Sequence, residues 1–256
     1  MTEHIRTALN GSVLEITFAR PDKRNALTDA MYRVACEALE AAQSDDAVRV
    51  VLFTAEGDAF TAGNDLGDFS RRASGQGEEP QARKFIKALG RAEKPIVAAV
   101  PGIAVGVGTT MLLHCDLVYL AETAKLSTPF VNLALVPEAA SSLLLPLRIG
   151  YARAFAMFAL GESITAAEAV ELGLANKALP QSEVLNAARA AAKALAEKSP
   201  GSLVATKKLM RDAATLLSRM QEESEIFAQR LKSDEAREAF SAFAERRTPN
   251  FSRKSV

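Results

Sequence analysis

The sequence predicts an α/β fold, and three observations carry that prediction. Apolar or alternating runs at 13–18, 49–54, 95–100 and 117–120 read as strands, amphipathic helical spacing recurs between them, and from Thr165 onward the pattern is helical. Strands are therefore expected before about Leu126 and helices after it. At 256 residues, with 48% hydrophobic and 24% charged content, the chain is long enough to bury one large core with a helical appendage.

Each element has a local reason. Val13 to Phe18 puts Leu14, Ile16 and Phe18 on one face and Glu15 and Thr17 on the other, the pattern of a half-buried strand. Thr28 and Asp29 open a helix in which Met31, Val34, Ala35, Ala38, Leu39 and Ala42 recur at helical spacing, and Ser44-Asp45-Asp46 ends it. Arg49 to Thr54 is the next strand. A loop from Ala55 to Gly67 leads into a polar, glycine-bearing stretch through Gly77, expected as a mobile insert. A helix follows over Gln81 to Arg91. Pro95 to Val100 reads as a buried strand, Gly102 to Gly108 as a turn into a short helix, and Leu117 to Leu120 as another strand. Gly173 is placed to end the helix Ala166 to Leu172. The break Ser199-Pro200-Gly201 separates residues 1–198 from a helical section over 199–256.

Thirty-one basic and thirty-one acidic residues cancel, so no global field draws nucleic acid or an anionic membrane, and any anion site must be local. Cys36 and Cys115 suggest no disulfide framework, metal knuckle or redox pair, which fits a reduced cytoplasmic setting. The N-terminus has no apolar signal core, no stretch approaches membrane-spanning length, and the Arg-Lys-Ser-Val end is not a peroxisomal tripeptide.

Two glycine loops and one acid carry the chemistry. Gly102-Ile-Ala-Val-Gly-Val-Gly follows a strand and precedes a helix, which suits a dinucleotide turn or any loop bringing amides against a ligand. The dinucleotide reading would make a short-chain dehydrogenase. Against it, about ninety residues with their own strands precede the loop, and Tyr32, Tyr119 and Tyr151 lack the lysine four positions on. A P-loop is excluded because Thr109 follows Gly108 where a lysine is needed. Ala59-Phe-Thr-Ala-Gly-Asn-Asp-Leu is a second such loop, which alone reads equally well as a surface turn. Together the two loops can aim free amides at one oxygen, as an oxyanion hole does. Between Glu122 and Glu162 the chain carries one carboxylate, Glu138. It is either a helix-start acid behind Pro137 or a proton carrier held away from water.

These segments resemble the crotonase (enoyl-CoA hydratase/isomerase) superfamily nearly end to end. The resemblance is carried by Ala-Arg-Pro-Asp-Lys-Arg-Asn-Ala-Leu at 19–27, the loops at 59–66 and 94–108, and Cys115-Asp-Leu-Val-Tyr. Leu160-Gly-Glu-Ser-Ile-Thr-Ala-Ala-Glu-Ala to 176 and the tail at 239–251 continue it. It implies a spiral of ββα units with a C-terminal helical trimerisation region, an acyl-CoA thioester as substrate, no metal and no cofactor beyond the substrate's own coenzyme A. A homotrimer or dimer of trimers is the implied assembly. The family's oxyanion amides map onto Ala62 and Val107. Thr110 and Phe130 stand where similar hydratases place two glutamates, and the dehalogenase branch's nucleophilic aspartate has no candidate.

Glu138 matches the single glutamate of the peroxisomal-type Δ3,Δ2-enoyl-CoA isomerases, whose loops also resemble residues 63–66 and 128–133. The expected function is therefore movement of an acyl-CoA double bond into conjugation, with Glu138 carrying a proton from C2 to C4. The alternatives are a hydratase, another acyl-CoA enzyme of the family, or a catalytically silent acyl-CoA binder. Arg24, Ala62, Gly63, Asn64, Asp65, Leu66 and Val107 are the expected substrate contacts. Lys23 is a second candidate for a coenzyme A phosphate, as is the cluster Arg246, Arg247, Arg253 and Lys254. His4, in an expected frayed terminus, and His114 are expected to be structural.

Overall fold

The computed structural model describes residues 3–65, 67 and 80–251. The expected insert over 68–79, Leu66, Arg253 and Lys254 lie outside the described residues. Strand β1 (Ile5–Asn10) pairs antiparallel with β2 (Val13–Phe18) across a hairpin whose Gly11 takes φ 61°. Beyond β2 the main sheet runs parallel through β3 (Val50–Ala55), β5 (Ile96–Val100), β7 (Leu117–Ala121) and β10 (Lys177–Leu179). A second sheet holds β4 (Ala59–Thr61), β6 (Ile103–Val105), β8 (Lys125–Ser127) and β9 (Ser163–Thr165), with only β8 and β9 antiparallel.

The pairs β3/β4, β5/β6 and β7/β8 each send their first strand to the larger sheet and their second to the smaller. That alternation is the expected ββα spiral. β3 and β5 are buried on both faces, as parallel strands covered by helices must be, so they read as unbroken apolar runs. Phe18, Phe53, Phe60 and Phe85 sit at the centre, with ring centroids 5.3 Å apart for Phe18 and Phe60.

Helix α1 (Asp29–Ser44) starts where expected, with the Thr28 hydroxyl accepting from Met31 N–H at 3.3 Å. Helix α2 (Gln81–Arg91) matches its expected bounds. Helix α3 (Val107–Thr110) follows β6, and α4 (Ser141–Ile149) and α5 (Tyr151–Phe155) follow the second sheet. Helix α6 (Ala166–Glu171) ends at Gly173 with φ 74°, as the glycine predicted. Helices α7 (Gln181–Ala196), α8 (Pro200–Met210), α9 (Ala213–Leu231) and α10 (Asp234–Ala244) complete the chain. α9 lies back on α2, where Met220 packs on Gly90: a Cβ there would fall 2.9 Å from the methionine methyl. This return of the C-terminal helices onto the core brings α9 to the site.

Three expectations change. Ile103–Val105 is a strand rather than part of a turn, because its backbone pairs with β4 and β8. Two strands, β9 and β10, lie after residue 126, each completing a sheet edge with only three residues. The terminus at His4 is tied down rather than frayed, since the His4 carbonyl accepts from Ala19 N–H at 2.8 Å.

Candidate active site

The two glycine loops are locked together by close backbone approaches. Gly63 takes φ 89°, and a Cβ there would sit 2.9 Å from the Val105 carbonyl oxygen. A Cβ on Gly108 would fall 2.6 Å from the Thr61 methyl carbon. Neither position tolerates a side chain without moving the other loop.

Asn25 fixes the loop from below. Fully buried, with φ 55°, it accepts from Arg20 N–H at 2.7 Å and donates its side-chain amide to the carbonyls of Glu56 (2.9 Å) and Ala59 (2.8 Å). Its own carbonyl accepts from the Thr61 hydroxyl at 2.7 Å.

This arrangement corrects one expected donor. Ala62 N–H is already given to the Arg24 carbonyl at 2.9 Å, so it is not free to hold a substrate oxygen. Gly63 N–H goes to the Thr61 hydroxyl at 3.0 Å. Leu27 bonds to Gly63 O and Asp65 N, each at 2.8–2.9 Å, in a parallel bridge opposite Asn64. In such a bridge the N–H of Asn64 points away from Leu27. Among the described residues it has no acceptor, and neither has the N–H of Val107, the first residue of α3, after Gly106 at φ 57°. Asn64 and Val107 thus each present a free amide among the described residues.

A cavity of about 210 Å³ opens between α1, α2, α9 and the loop before α4, with Leu27, Tyr32, Ile86, Met220, Phe227 and Leu231 forming apolar wall. It brings Asn64 and Asp65 together with Glu138; Arg24, Ala62, Gly63 and Val107 do not line it. Among the described residues three carboxylates face it, and Asp29 and Asp65 have donors. Asp29 accepts from Gln81 N–H at 3.2 Å, and Asp65 is held by the Arg20 guanidinium at 2.7 Å. Among the described residues nothing donates to the Glu138 carboxylate. Half-buried and lining the cavity, its carboxyl is pushed up from 4.5 to about 8 by burial and then by the nearby charge of Glu223. The Tyr32 phenol hydrogen-bonds the Asn64 side-chain oxygen, and burial followed by the charge of Glu138 raises its pKa.

The helix-start reading of Glu138 fails in this structure. Ala139 and Ala140 take φ 62° and 54°, so α4 begins only at Ser141. Left-handed alanine costs roughly 1–2 kcal/mol per residue, and three contacts hold the turn against that cost. Ser141 N–H bonds to the Glu138 carbonyl at 3.0 Å. His114 bonds through Nε2 to the Ala139 carbonyl at 2.7 Å, its Nδ1 facing the Arg211 guanidinium. Glu223 accepts from Ala140 N–H at 2.6 Å and Ser142 N–H at 2.9 Å. Burial, and then the neighbouring Arg211 charge, lower the His114 pKa to about 3, so the ring is neutral and donates from Nε2.

Of the residues that build the site, Asn25, Tyr32 and Glu223 had no role in the sequence reading. One signal for Glu223 was present: Leu216, Met220, Glu223, Phe227 and Leu231 recur at helical spacing, so this acid lies on the apolar stripe of α9.

A ββα spiral whose interlocked glycine loops stand near an acid-bearing apolar cavity is a crotonase-fold protein. The chain belongs to the enoyl-CoA hydratase/isomerase family, whose model matches residues 8–254. It is 35% identical to enoyl-CoA delta isomerase 2 of Rattus norvegicus over 93% of this chain, and spans 62% of the length of that protein. It is 33% identical to 2,3-dehydroadipyl-CoA hydratase of Escherichia coli (strain K12), covering 93% of this chain and 94% of that one. The solved enoyl-CoA hydratase/isomerase of Pseudoalteromonas atlantica T6c matches with TM-score 0.92 at 41% identity, over 97% of this chain and 100% of that one.

Proposed function

We propose that the protein is a Δ3,Δ2-enoyl-CoA isomerase in which Glu138 takes a proton from C2 of a 3-enoyl thioester and returns it at C4. The observation that carries this reading is Glu138 itself, the one cavity carboxylate with no donor among the described residues. Loss of the C2 proton leaves an enolate, whose oxygen the free amides of Asn64 and Val107 are suited to stabilise. A site that favours the protonated carboxyl favours the state in which Glu138 holds the proton between its two transfers. A value near 8 also lies close to working pH, where a general base is most effective.

Two positions favour one-base chemistry over hydration. Thr110 is fully buried, and the Phe130 ring packs 6.2 Å from that of Phe158. Neither can position or deprotonate water as a second carboxylate would. On this reading coenzyme A is part of the substrate, the acyl tail enters the apolar cavity, and Gly63, Asn64, Asp65 and Leu66 flank the thioester side. Exposed Arg24 serves the phosphates. The assembly is a homotrimer or dimer of trimers built through residues 199–256, in the cytoplasm.

The test is to incubate purified protein with a 3-enoyl-CoA and a 2-enoyl-CoA, with and without Glu138→Gln. Conjugated product from the first, abolished by the substitution, supports the isomerase. Faster hydration of the second, unaffected by Glu138→Gln, sinks it; thioester binding without turnover points to a silent binder.

A further inference from the structure

The start of α4 offers backbone amides that would ordinarily hold an acid from the same strand of chain. Here they are taken by a residue far along the sequence. Glu223 is buried, 5% exposed, and its two oxygens accept separately from Ala140 and Ser142. Glu138, two residues before Ala140, is left with none of these donors.

We infer that Glu223 is a positioning residue for Glu138: it occupies the amides that would otherwise capture the Glu138 carboxylate, and clamps the left-handed Ala139–Ala140 turn that leaves that carboxyl facing the cavity. The inference rests on the reading of Glu138 as the base. Burial raises the Glu223 carboxyl above its usual value, and the two amide donors and the nearby Arg219 charge work against that rise. Negative charge on Glu223 adds to burial in keeping the proton on Glu138.

The other groups around Glu138 do not replace this role. On α1, Tyr32 is neutral and Asp29 is tied to Gln81 N–H. Asp65 is paired with Arg20, and His114 behind Ala139 is neutral. Arg83 and Lys87 of α2 line the cavity, but no hydrogen bond joins either to Glu138 among the described residues.

The experiment compares wild type, Glu223→Gln and Glu223→Asp in two ways. Isotope-labelled glutamate followed by NMR gives the Glu138 titration midpoint directly, its resonance assigned with Glu138→Gln; the pH profile of kcat and KM on a 3-enoyl-CoA gives the catalytic consequence. Glu223→Gln removes the charge and one acceptor. The Glu138 midpoint is expected to fall by about one pH unit, and plateau kcat by about tenfold with KM nearly unchanged. Glu223→Asp keeps the charge but reaches less far, so the midpoint stays near that of wild type while kcat falls.

An unchanged midpoint in folded Glu223→Gln overturns the inference. If that variant does not fold, wild-type kcat in Glu223→Asp overturns it. A linked titration in a protein that turns over no 3-enoyl-CoA counts against the isomerase reading alone. An unlinked titration in an active isomerase counts against Glu223 alone.

Discussion

Replacing Glu138 with glutamine should stabilise the protein, by an amount that grows with pH. The carboxyl has an ordinary value of 4.5 and is held at about 8 in the fold. Between those values the folded protein keeps a proton that the unfolded chain has released. The group's contribution is therefore fully present below about 4.5 and is lost as pH rises through about 8. At pH 7 the loss covers about 2.5 pH units at about 1.36 kcal/mol each, or about 3 kcal/mol. Glutamine has nearly the same shape and no charge to desolvate, so it escapes this penalty. Urea unfolding at about pH 5, 6 and 7, at one protein concentration and with matched m-values, measures the difference. The two proteins should differ by less than about 1 kcal/mol at pH 5 and by about 3 kcal/mol at pH 7, with glutamine the more stable. Measuring the difference between the two proteins cancels other titrations, such as that of Glu15, which Arg189 holds below its usual value. A difference that stays constant across this range would refute the reasoning, because Glu138 would then not be titrating there.

Other outcomes follow from the same geometry. The pH profile of kcat/KM on a 3-enoyl-CoA should rise about tenfold per pH unit and level off near 8, because only ionised Glu138 is a base. Gly63→Ala should cost about 1–3 kcal/mol and most of the activity, read by thermal unfolding and turnover, because its Cβ would press on the Val105 carbonyl at 2.9 Å. Asn25→Ala should lower stability by about 2–4 kcal/mol in urea unfolding, since it strands Arg20 N–H and the carbonyls of Glu56 and Ala59.

Much of this was legible in the chain, and the gaps have physical causes. The helix at 29–44 announces itself through its Thr28 cap and apolar spacing, the helix at 81–91 through apolar spacing alone, and β3 and β5 through unbroken buried runs. The strands β4, β6, β8, β9 and β10 are three residues each, too short for alternation to register. β1 hides because five of its six residues are exposed, although Asn10-Gly11 was a hairpin signal.

At the site, Glu138 stood out by isolation, and Val107 through the family resemblance of its loop. Which amide of the other loop stays free could not be chosen from spacing, because adjacent amides point in opposite directions. The Leu27–Asn64 bridge decides it, together with the bond from Ala62 to Arg24. Glu223 was out of reach for a different reason: its link to Glu138 depends on α9 folding back across more than eighty residues of chain.

The central claim is that one carboxylate both removes and returns the proton. Its most direct test is to turn over a 3-enoyl-CoA bearing deuterium at C2, using wild type and Glu138→Gln, and to locate the label in the product by mass spectrometry. Wild type should deliver part of the C2 label to C4, and Glu138→Gln should form no conjugated product. Product made by Glu138→Gln at the wild-type rate, with the same labelling, would contradict it.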